Sequence, residues 1–535
     1  MNNKLRSLLP FFCFFFPWGM YFSVLWFRML VVTGQGLFAG HPYVWADWSM
    51  HLALAANFAY RPVEHWFDSL PVFAGAPVTY PFVSNLLSGL LLRLGFSYPF
   101  AFLVPSIVVT MIALVMLYYF FTEFLRSSRA ASLAATIALC SGGIGAFLLL
   151  REKGIQVLWD ASTTTTQIPS LAIEVNTIVA SMLIPQRAFL FGLPLGLLLL
   201  LFLYTQFLKD GKGTTFLKRR YLGMGVLAGL LLIIHTHTYL VIVFASLWIG
   251  MFSLKAWKRW LYFAIPATVM SFGLYLIFLK DGVSSSTFFS LVPGWYVRDG
   301  LLSWMWFWMK NWGAFLGVAA LGTVSLRTHR TKRLFFFVMF FWALFLLGNL
   351  VQFQPQIWDN TKIFAWVYIG LTIPVVVFLG RIYRVGWVGK LLALVLVFVL
   401  IFSGALDLLH NLNSEKKTFR MLSTDEVNLG IAARQLIPAA DSVLTPATVS
   451  NPISMIAGRS VTLGYSGWAF SYGLSYADRE RDITQAYQGT QTLDAIAKQY
   501  GAMYVYVPAY SADVFIPTTL VPVFSNDAGT IYRLQ

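Results

Sequence analysis

Long apolar runs recur along most of this chain and constrain its fold more than any other feature. Soluble proteins carry about 25% charged residues, whereas this chain carries 11% and has a mean hydropathy of +0.69. About 20 apolar residues cross the roughly 30 Å hydrocarbon core of a bilayer as a helix. The eleven candidate runs are 10–32, 99–121, 130–150, 188–208, 221–235, 238–253, 259–280, 312–326, 334–351, 363–380 and 390–407. We therefore predict an α-helical polytopic membrane protein with about eleven transmembrane helices.

Basic residues are concentrated on alternate loops between these runs, and this asymmetry predicts the orientation of the chain. The basic residues concerned are Lys4, Arg6, Arg126, Arg129, those of the run 209–220, Lys255, Lys258, Arg259, Arg327, Arg330, Lys332, Arg333, Arg381, Arg384 and Lys390. We predict a cytoplasmic N-terminus, and an odd number of spans then places the C-terminal part outside. The net charge of +16 reflects this basic rim facing anionic lipid and does not indicate a nucleic-acid partner.

The composition of the chain changes near residue 408, at the sequence HNLNSEKKTF, where charged and amide residues replace the apolar runs. We therefore divide the chain into a transmembrane domain, 1–407, and a soluble extracytoplasmic domain, 408–535. Helix-like and strand-like segments alternate in the second part, which predicts a small α/β domain. Neither part contains a G-x-G-x-x-G or a Walker A sequence, so nucleotide binding is not indicated.

Two predicted outer loops are unusually long, at about 33–98 and 151–187. The first contains the apolar stretch FVSNLLSGLLLRLGF, which is short for a span and carries Arg93. We interpret this stretch as an interfacial or partly embedded helix.

Asp47 and His51 lie in the first long loop, four residues apart in the sequence VWADWSMH. If this stretch is helical, the two side chains project from one face. A half-buried carboxylate at a membrane surface has a raised proton affinity and suits general-base catalysis. The imidazole could orient it, bind a phosphate or share a metal ion. The alternative is that Asp47 is only a surface charge in a solvated loop.

Arg187 and Lys362 are candidate phosphate-binding residues at the outer ends of two predicted spans. Arg187 lies in IPQRAFLFG and Lys362 in QPQIWDNTKIF, where it follows Asp359. The planar guanidinium group suits an anionic lipid phosphate, and the polar surroundings of Asp359 and Lys362 favour a lined cavity. The alternative is that both cations reach out to lipid headgroups as anchors.

Two further groups of residues are candidate substrate contacts. His235 and His237, in IIHTHTYL, lie near an outer junction of two runs, where a hydrogen-bonded structural pair is the alternative. The segment GYSGWAFSYGLSYADRERD combines aromatic residues, glycines and charges. Trp468 could cover a sugar ring there, and Arg479 or Arg481 could reach its polar groups; an ordinary loop followed by a helix is the alternative.

These features together resemble the polytopic glycosyltransferases of the GT-C type, which take sugars from polyprenyl-phosphate donors. The order of segments is the same: the chain begins with an early span and a long outer loop that carries an acidic residue. Many spans and a soluble outer domain follow. The segments ADWSMHLALAANFA, PVFAGAPVTYPF with Tyr80, PQRAF, WDNTK and GYSGWAFSYG are similar to those of a group of bacterial membrane proteins. The resemblance implies that Asp47 is the catalytic base or a metal-binding residue, and that Tyr80 contacts substrate.

The resemblance implies an inverting hexosyl- or pentosyltransferase in the bacterial inner membrane. Its acceptor would be a hydroxyl group of a glycan, lipid or protein on the outer face. The paired acidic residues usual in the superfamily are absent, because Trp48 follows Asp47. A W-W-D sequence is also absent, so transfer of a whole glycan to asparagine is not expected.

Metal dependence stays open: Mg²⁺ or Mn²⁺, if bound, would contact Asp47 and His51. The rival functions are a transporter or flippase for a lipid-linked substrate and a non-catalytic membrane scaffold.

Overall fold

The protein is a multi-pass α-helical membrane protein with a mixed α/β C-terminal part. The structure is a computed structural model, and it describes residues 3–209, 217–280, 282, 289–328, 331–511 and 513–535. The helices are α1 (Asn3–Met29), α2 (Trp45–Tyr60), α3 (Val83–Arg93), α4 (Tyr98–Leu125), α5 (Ser128–Leu139), α6 (Gly145–Lys153), α7 (Arg187–Leu203), α8 (Lys218–Ile234), α9 (Thr236–Phe252), α10 (Trp257–Phe278), α11 (Leu301–Trp312), α12 (Phe315–Ser325), α13 (Lys332–Leu350), α14 (Thr361–Ile382), α15 (Gly386–His410), α16 (Ser414–Lys417), α17 (Thr424–Leu436), α18 (Ser466–Ser471), α19 (Ala477–Tyr487) and α20 (Leu493–Gln499).

Seven helical segments of the described chain are long and apolar enough to cross a membrane. They are Leu8–Met29, Tyr98–Leu125, Arg187–Leu208, Leu254–Phe278, Lys332–Leu350, Ile357–Ile382 and Gly386–His410. Shorter apolar helices include α9 and α12. The predicted fold class is therefore confirmed. The orientation stays a prediction, and part of its basis, residues 210–216 and Arg330, lies outside the described residues.

The predicted run 130–150 is not a single helix, because α5 ends at Leu139 and α6 begins at Gly145. The break lies where the chain closely approaches α11: the Ile144 amide donates to the Lys310 carbonyl at 3.0 Å. A Cβ atom on Gly143 would lie 1.8 Å from that same carbonyl oxygen. A continuous helix with a side chain at this position could not pack there. The run 312–326 is likewise divided, because α11 ends at Trp312 and α12 begins at Phe315.

The C-terminal part is built on a mixed sheet. The strands are β1 (Leu30–Thr33), β2 (Gly36–Ala39), β3 (Ser290–Leu291), β4 (Val351–Gln352), β5 (Phe419–Ser423), β6 (Ser442–Leu444), β7 (Ser460–Val461), β8 (Tyr504–Pro508), β9 (Leu520–Asn526) and β10 (Gly529–Leu534). Five of them form a sheet in the order β7-β6-β8-β10-β9, in which β6 runs parallel to β7 and β8 and the other pairs are antiparallel. The α/β character predicted for this part is confirmed.

Backbone pairing ties the C-terminal part to the first long loop. Strand β2 pairs antiparallel with β5, so the chain after α1 lies beside the chain after α15. The Val461 amide donates to the Pro71 carbonyl at 3.0 Å, and the Gly464 amide donates to the Val72 carbonyl at 2.8 Å. These contacts hold the region around α18 against the loop that follows α2.

Helix α2 lies at the centre of this arrangement. Every residue from Trp48 to Ala59 is buried, and the helix packs against α3 and the π-helical turn Ile453–Ala457. A helix buried on all faces indicates a structural position inside the fold. Its N-terminal turn therefore has a fixed place, and that turn carries Asp47.

We predict that Gly143→Ala destabilises the protein, because the added methyl group meets the Lys310 carbonyl. Overpacking of this kind typically costs about 1–3 kcal/mol. The measurement is thermal unfolding of the purified protein in detergent. Gly223→Ala in α8 is the matched control, because a Cβ atom there meets no atom within 4 Å. Equal unfolding temperatures for the two variants would contradict the packing argument.

Candidate active site

A cavity of about 100 Å³ lies where α2, the turn before α7, the loop before α14 and the region of α18 meet. The side chains around it combine carboxylates, a lysine, amides and aromatic rings. Its lining residues are Asp47, Met50, His51, Tyr80, Gln186, Gln354, Asp359, Lys362, Trp468, Ser471 and Tyr472. Residues that are hundreds of positions apart in the sequence therefore face one small space.

Asp47 is positioned by contacts on both sides of it in the first turn of α2. The next residue, Trp48, is fully buried, stacks on Trp26 and donates its indole N–H to the Ile184 carbonyl at 3.0 Å. Gln186 donates from Nε2 to Asp47 Oδ1 at 2.9 Å. No described residue donates to the second carboxylate oxygen, Oδ2. One oxygen is thus held by the protein and the other is available to a ligand.

Burial raises the pKa of Asp47 to about 6. The positive charge of Lys362 opposes this rise, the carboxylate of Asp359 adds to it, and the hydrogen bond from Gln186 opposes it. A carboxylate with a pKa near 6 is ionised at neutral pH and yet more basic than an ordinary aspartate. It is therefore well matched to removing a proton from a hydroxyl group.

His51 lies one helical turn after Asp47 and is 1% exposed. Its Nε2 lies 3.3 Å from the Pro185 carbonyl oxygen, so we assign the proton to Nε2. Its Nδ1 is buried and has no hydrogen-bond partner among the described residues. Burial, and next the charge of Arg187, lower the pKa of His51 to about 3. The imidazole is therefore neutral at physiological pH, and Nδ1, near the Asn85 side chain, is a hydrogen-bond acceptor.

Lys362 and Asp359 form an ion pair on the opposite wall of the cavity. The Nζ–Oδ1 distance is 2.7 Å, and the side chains are 13% and 16% exposed. Asn360 fixes this loop, because its side-chain amide donates to the carbonyls of Gly348 and Val351 at 2.8 and 2.7 Å. The cavity thus contains a fixed cation, Lys362, paired with a carboxylate. An anionic ligand that binds more strongly than Asp359 could take the place of this carboxylate beside the lysine.

Aromatic side chains form a third wall. Tyr80, from the first long loop, packs edge-on against Tyr472, with ring centroids 5.6 Å apart. Trp468 of α18 lines the same side. Burial raises the pKa of Tyr80 and of Tyr472 above the ordinary value. Both phenols therefore remain protonated and can donate hydrogen bonds to a bound ligand.

Arg187 does not line the cavity. Its side chain is fully buried next to His51 and lies over the Phe102 ring at 4.4 Å. Its Nη2 donates to Ser88 at 2.8 Å, and its Nη1 donates to Asn85 at 3.4 Å. These bonds place the guanidinium group behind the wall that carries His51. Its predicted role in phosphate binding stays a prediction.

The two histidines of the HTH sequence lie outside the lining as well. His235 Nδ1 is 2.7 Å from the Thr238 hydroxyl, and the rings of His235 and His237 are 5.7 Å apart. The Nε2 atom of each is buried without a partner among the described residues. Neither histidine is among the residues that line the cavity, so their predicted contact with substrate stays a prediction.

Arg479 and Arg481 are directed away from the cavity. Arg479 packs over the rings of Phe73 and Tyr500 and donates to the Ala74 and Thr462 carbonyls. Arg481 is exposed and pairs with Asp478 at 2.8 Å. A direct contact of either arginine with a ligand in this cavity has no support in the structure.

Five lining residues were not identified from the sequence: Met50, Gln186, Gln354, Ser471 and Tyr472. Gln186 directly precedes Arg187 in PQRAF, and Tyr472 belongs to the GYSGWAFSYG segment, so the motifs contained a signal for both. Gln354 carries a buried Oε1 with no partner among the described residues. No local feature of the sequence distinguishes it.

The metal-binding potential of the cavity is limited. Within the described parts of the chain, no group of three or more His, Cys, Asp or Glu side chains is arranged to hold a metal ion. Asp47 and Asp359 share the cavity with His51, but they do not form such a set.

Solved structures match almost the whole length of this chain. ArnT from Cupriavidus metallidurans bound to undecaprenyl phosphate matches with a TM-score of 0.51 and 10% identity, over 99% of this chain and 98% of that one. The apo form of that ArnT matches with a TM-score of 0.48 and 10% identity, over 97% and 98%. The apo Archaeoglobus fulgidus oligosaccharyltransferase matches with a TM-score of 0.45 and 11% identity, over 97% and 74%. No family model and no curated protein matches the sequence. The match to lipid-bound ArnT shows that this chain shares the fold of that protein, which agrees with the fold class expected from the sequence.

We predict that Asp47→Asn stabilises the protein at neutral pH and not at low pH. Burial raises the pKa of Asp47 to about 6 in the folded protein, above the ordinary value of about 3.9 for aspartate, so ionisation costs more in the folded state than in the unfolded one. The wild type therefore loses stability as the pH rises from about 4 to about 6, whereas the amide does not. The expected gain is about 1–3 °C in apparent Tm above pH 6.

Thermal unfolding at pH 7.5 and at the lowest pH that the detergent-solubilised protein tolerates measures this difference. Asp527→Asn, at an exposed position of the turn between β9 and β10, controls for the loss of a negative charge. If Asp47→Asn lowers the apparent Tm at pH 7.5, the carboxylate is a structural group and the argument fails.

Proposed function

We propose that this protein is an inverting glycosyltransferase that moves one hexosyl or pentosyl group from a polyprenyl-phosphate donor to an acceptor hydroxyl. The observation that carries the proposal is the presence of Asp47 and Lys362 in one cavity. A basic carboxylate and a fixed cation are the two groups that such a transfer requires. The first activates the nucleophile, and the second stabilises the departing phosphate.

Asp47 acts as the general base in this proposal. The acceptor hydroxyl approaches the free Oδ2 while Gln186 holds Oδ1. Oδ2 takes the hydroxyl proton as the acceptor oxygen bonds to the anomeric carbon. The bond from that carbon to the phosphate oxygen breaks on the opposite face, and its electron pair leaves with the polyprenyl phosphate. A single displacement inverts the anomeric configuration.

Lys362 receives the phosphate of the donor. Its Nζ already pairs with the Asp359 carboxylate at 2.7 Å, so the ammonium group is fixed before a ligand arrives. A phosphate group that leaves as an anion needs less help from a general acid than an alkoxide does. Arg187 adds positive potential next to His51, because its Nη1 and Nη2 are held by Asn85 and Ser88 outside the cavity lining.

The aromatic wall selects and shields the sugar. The faces of Trp468, Tyr472 and Tyr80 offer apolar surface and phenol donors on one side of the cavity. Such side chains supply large contact areas with few rotatable bonds. The C-terminal part closes the cavity on this side, and contacts made there decide which acceptor enters. A glycan, a lipid or a protein hydroxyl is compatible with this arrangement.

The location of the reaction follows from the same proposal. Undecaprenyl phosphate is bound to a protein with this fold, and a polyprenyl chain requires access from the membrane. We place the cavity and the C-terminal part on the outer face of the bacterial inner membrane, since the basic loops favour a cytoplasmic N-terminus. If the protein is instead a transporter, it will bind donor without consuming it.

We predict that Asp47→Asn lowers turnover at least about 100-fold, which is the lower range for loss of a general base. The wild-type kcat/KM rises with pH and levels off above about 6, because the base must be ionised. The assay measures sugar release from radiolabelled polyprenyl-phosphate sugars with a membrane extract as acceptor. Asp478→Asn, at an exposed site in α19, is the matched control and should keep wild-type turnover. Full activity of Asp47→Asn would exclude the proposed base.

We predict opposite pH shifts when the two partners of the ion pair are changed. Lys362→Met removes a charge that lowers the pKa of Asp47, so the midpoint of the pH–rate profile moves up. Asp359→Asn removes a charge that raises this pKa, so the midpoint moves down. Lys362→Met also raises the donor KM by about 10-fold or more, because a charge-assisted contact is lost. Lys362→Arg keeps the positive charge and should restore part of the affinity for the donor. If the midpoints of the Lys362→Met and Asp359→Asn profiles moved in the same direction, the assignment of Asp47 as the titrating base would be contradicted.

A further inference from the structure

A second and larger cavity, the outer groove, lies at the C-terminal end of α2. Its volume is about 940 Å³, and it is bounded by the end of α1, strands β1 and β2, the first part of α4 and one face of α17. Its lining residues include Phe27, Val104, Tyr60, Val427, Ile431 and Arg434. Most of the surface is apolar.

The outer groove starts at the ends of two membrane-spanning helices. Span Leu8–Met29 ends there and span Tyr98–Leu125 begins there. Phe27 of α1 is 68% exposed, and Val104 of α4 is also exposed. On the facing helix, Val427, Ile431 and Arg434 follow one another at helical spacing. A hydrocarbon chain can therefore enter this groove from the bilayer without crossing polar surface.

The inner end of the outer groove is positively charged. The Arg434 guanidinium group stacks on the Tyr60 ring at 3.3 Å, and its Nε is buried without a partner among the described residues. Arg459 donates to the Arg434 carbonyl at 2.8 Å, and Arg61 follows Tyr60 in the chain. Burial, and next the charges of Arg61 and Arg434, lower the pKa of Arg459 to about 10. None of these arginines forms an ion pair with a described acidic residue.

The outer groove is distinct from the candidate active site. The two cavities share no lining residue. Asp47 and Tyr60 lie at opposite ends of α2, and 13 residues of helix span about 20 Å. A phosphate group beside Arg434 would therefore be far from the reacting sugar.

We propose that the outer groove binds a bilayer phospholipid with an anionic head group. Its acyl chains lie along α1, α4 and the apolar face of α17, and its phosphate contacts Arg434. The cationic end beside an apolar channel at the membrane boundary complements such a lipid in both charge and polarity. This site is independent of the proposed sugar transfer.

Native mass spectrometry of the full-length protein in detergent tests the proposal. The protein is titrated with dioleoyl phosphatidylglycerol and with dioleoyl phosphatidylcholine, which share acyl chains and differ in head-group charge. We expect the first phosphatidylglycerol to bind about five- to tenfold more tightly, as expected for one or two cationic contacts. Arg434→Gln should reduce this affinity to that of phosphatidylcholine. Val104→Trp, which fills the groove, should weaken both lipids.

Matched variants separate lipid binding from loss of folding. Arg481→Gln removes an exposed arginine of the same part of the chain and should keep the preference. Arg434→Lys keeps the charge, and it should retain a preference even if Arg434→Gln unfolds. Equal affinities for the two lipids, or an unchanged preference in a folded Arg434→Gln protein, would overturn the proposal. Displacement of phosphatidylglycerol by a polyprenyl phosphate would also overturn it, because the groove would then belong to the donor.

Discussion

The contact between α2 and the turn before α7 is the interaction on which the cavity depends. Trp48 is stacked on Trp26 and hydrogen-bonded to the Ile184 carbonyl, so the first turn of α2 cannot rotate or slide. This contact places Asp47 opposite Gln186 and fixes which carboxylate oxygen remains free. Buried polar groups need partners in an apolar interior. The hydrogen bond from the Trp48 indole supplies a partner to the Ile184 carbonyl and also orients the turn that carries the candidate base.

The cavity contains few charged groups, and its one lysine partly offsets its two carboxylates. Two carboxylates and one lysine face the same small space, and burial makes each charge expensive unless an opposite charge is near. Lys362 offsets both Asp359 and Asp47. His51 stays neutral, since burial and Arg187 disfavour a further positive charge.

The C-terminal part is an integral wall of the cavity. A Cβ atom on Gly458 would meet the Ala56 carbonyl of α2 at 2.4 Å, and Gly458 has a φ of +66°. Glycine alone permits this approach without strain. Because α2 contacts the C-terminal part here and carries Asp47 at its other end, one helix connects the outer groove with the candidate active site.

The sequence by itself determined the membrane class, most of the helical runs and the α/β character of the C-terminal part, and it pointed to Asp47 as a candidate base. Hydropathy and residue spacing are local properties, and a single helix or strand expresses them directly. Only the tertiary structure decided that Asp47, Lys362 and Tyr472 face one cavity while Arg479 and Arg481 do not. It also decided that the run 130–150 breaks at Gly143, where another helix approaches. The reason is physical: these outcomes depend on packing between distant segments, and no local pattern in the chain encodes the distance between them.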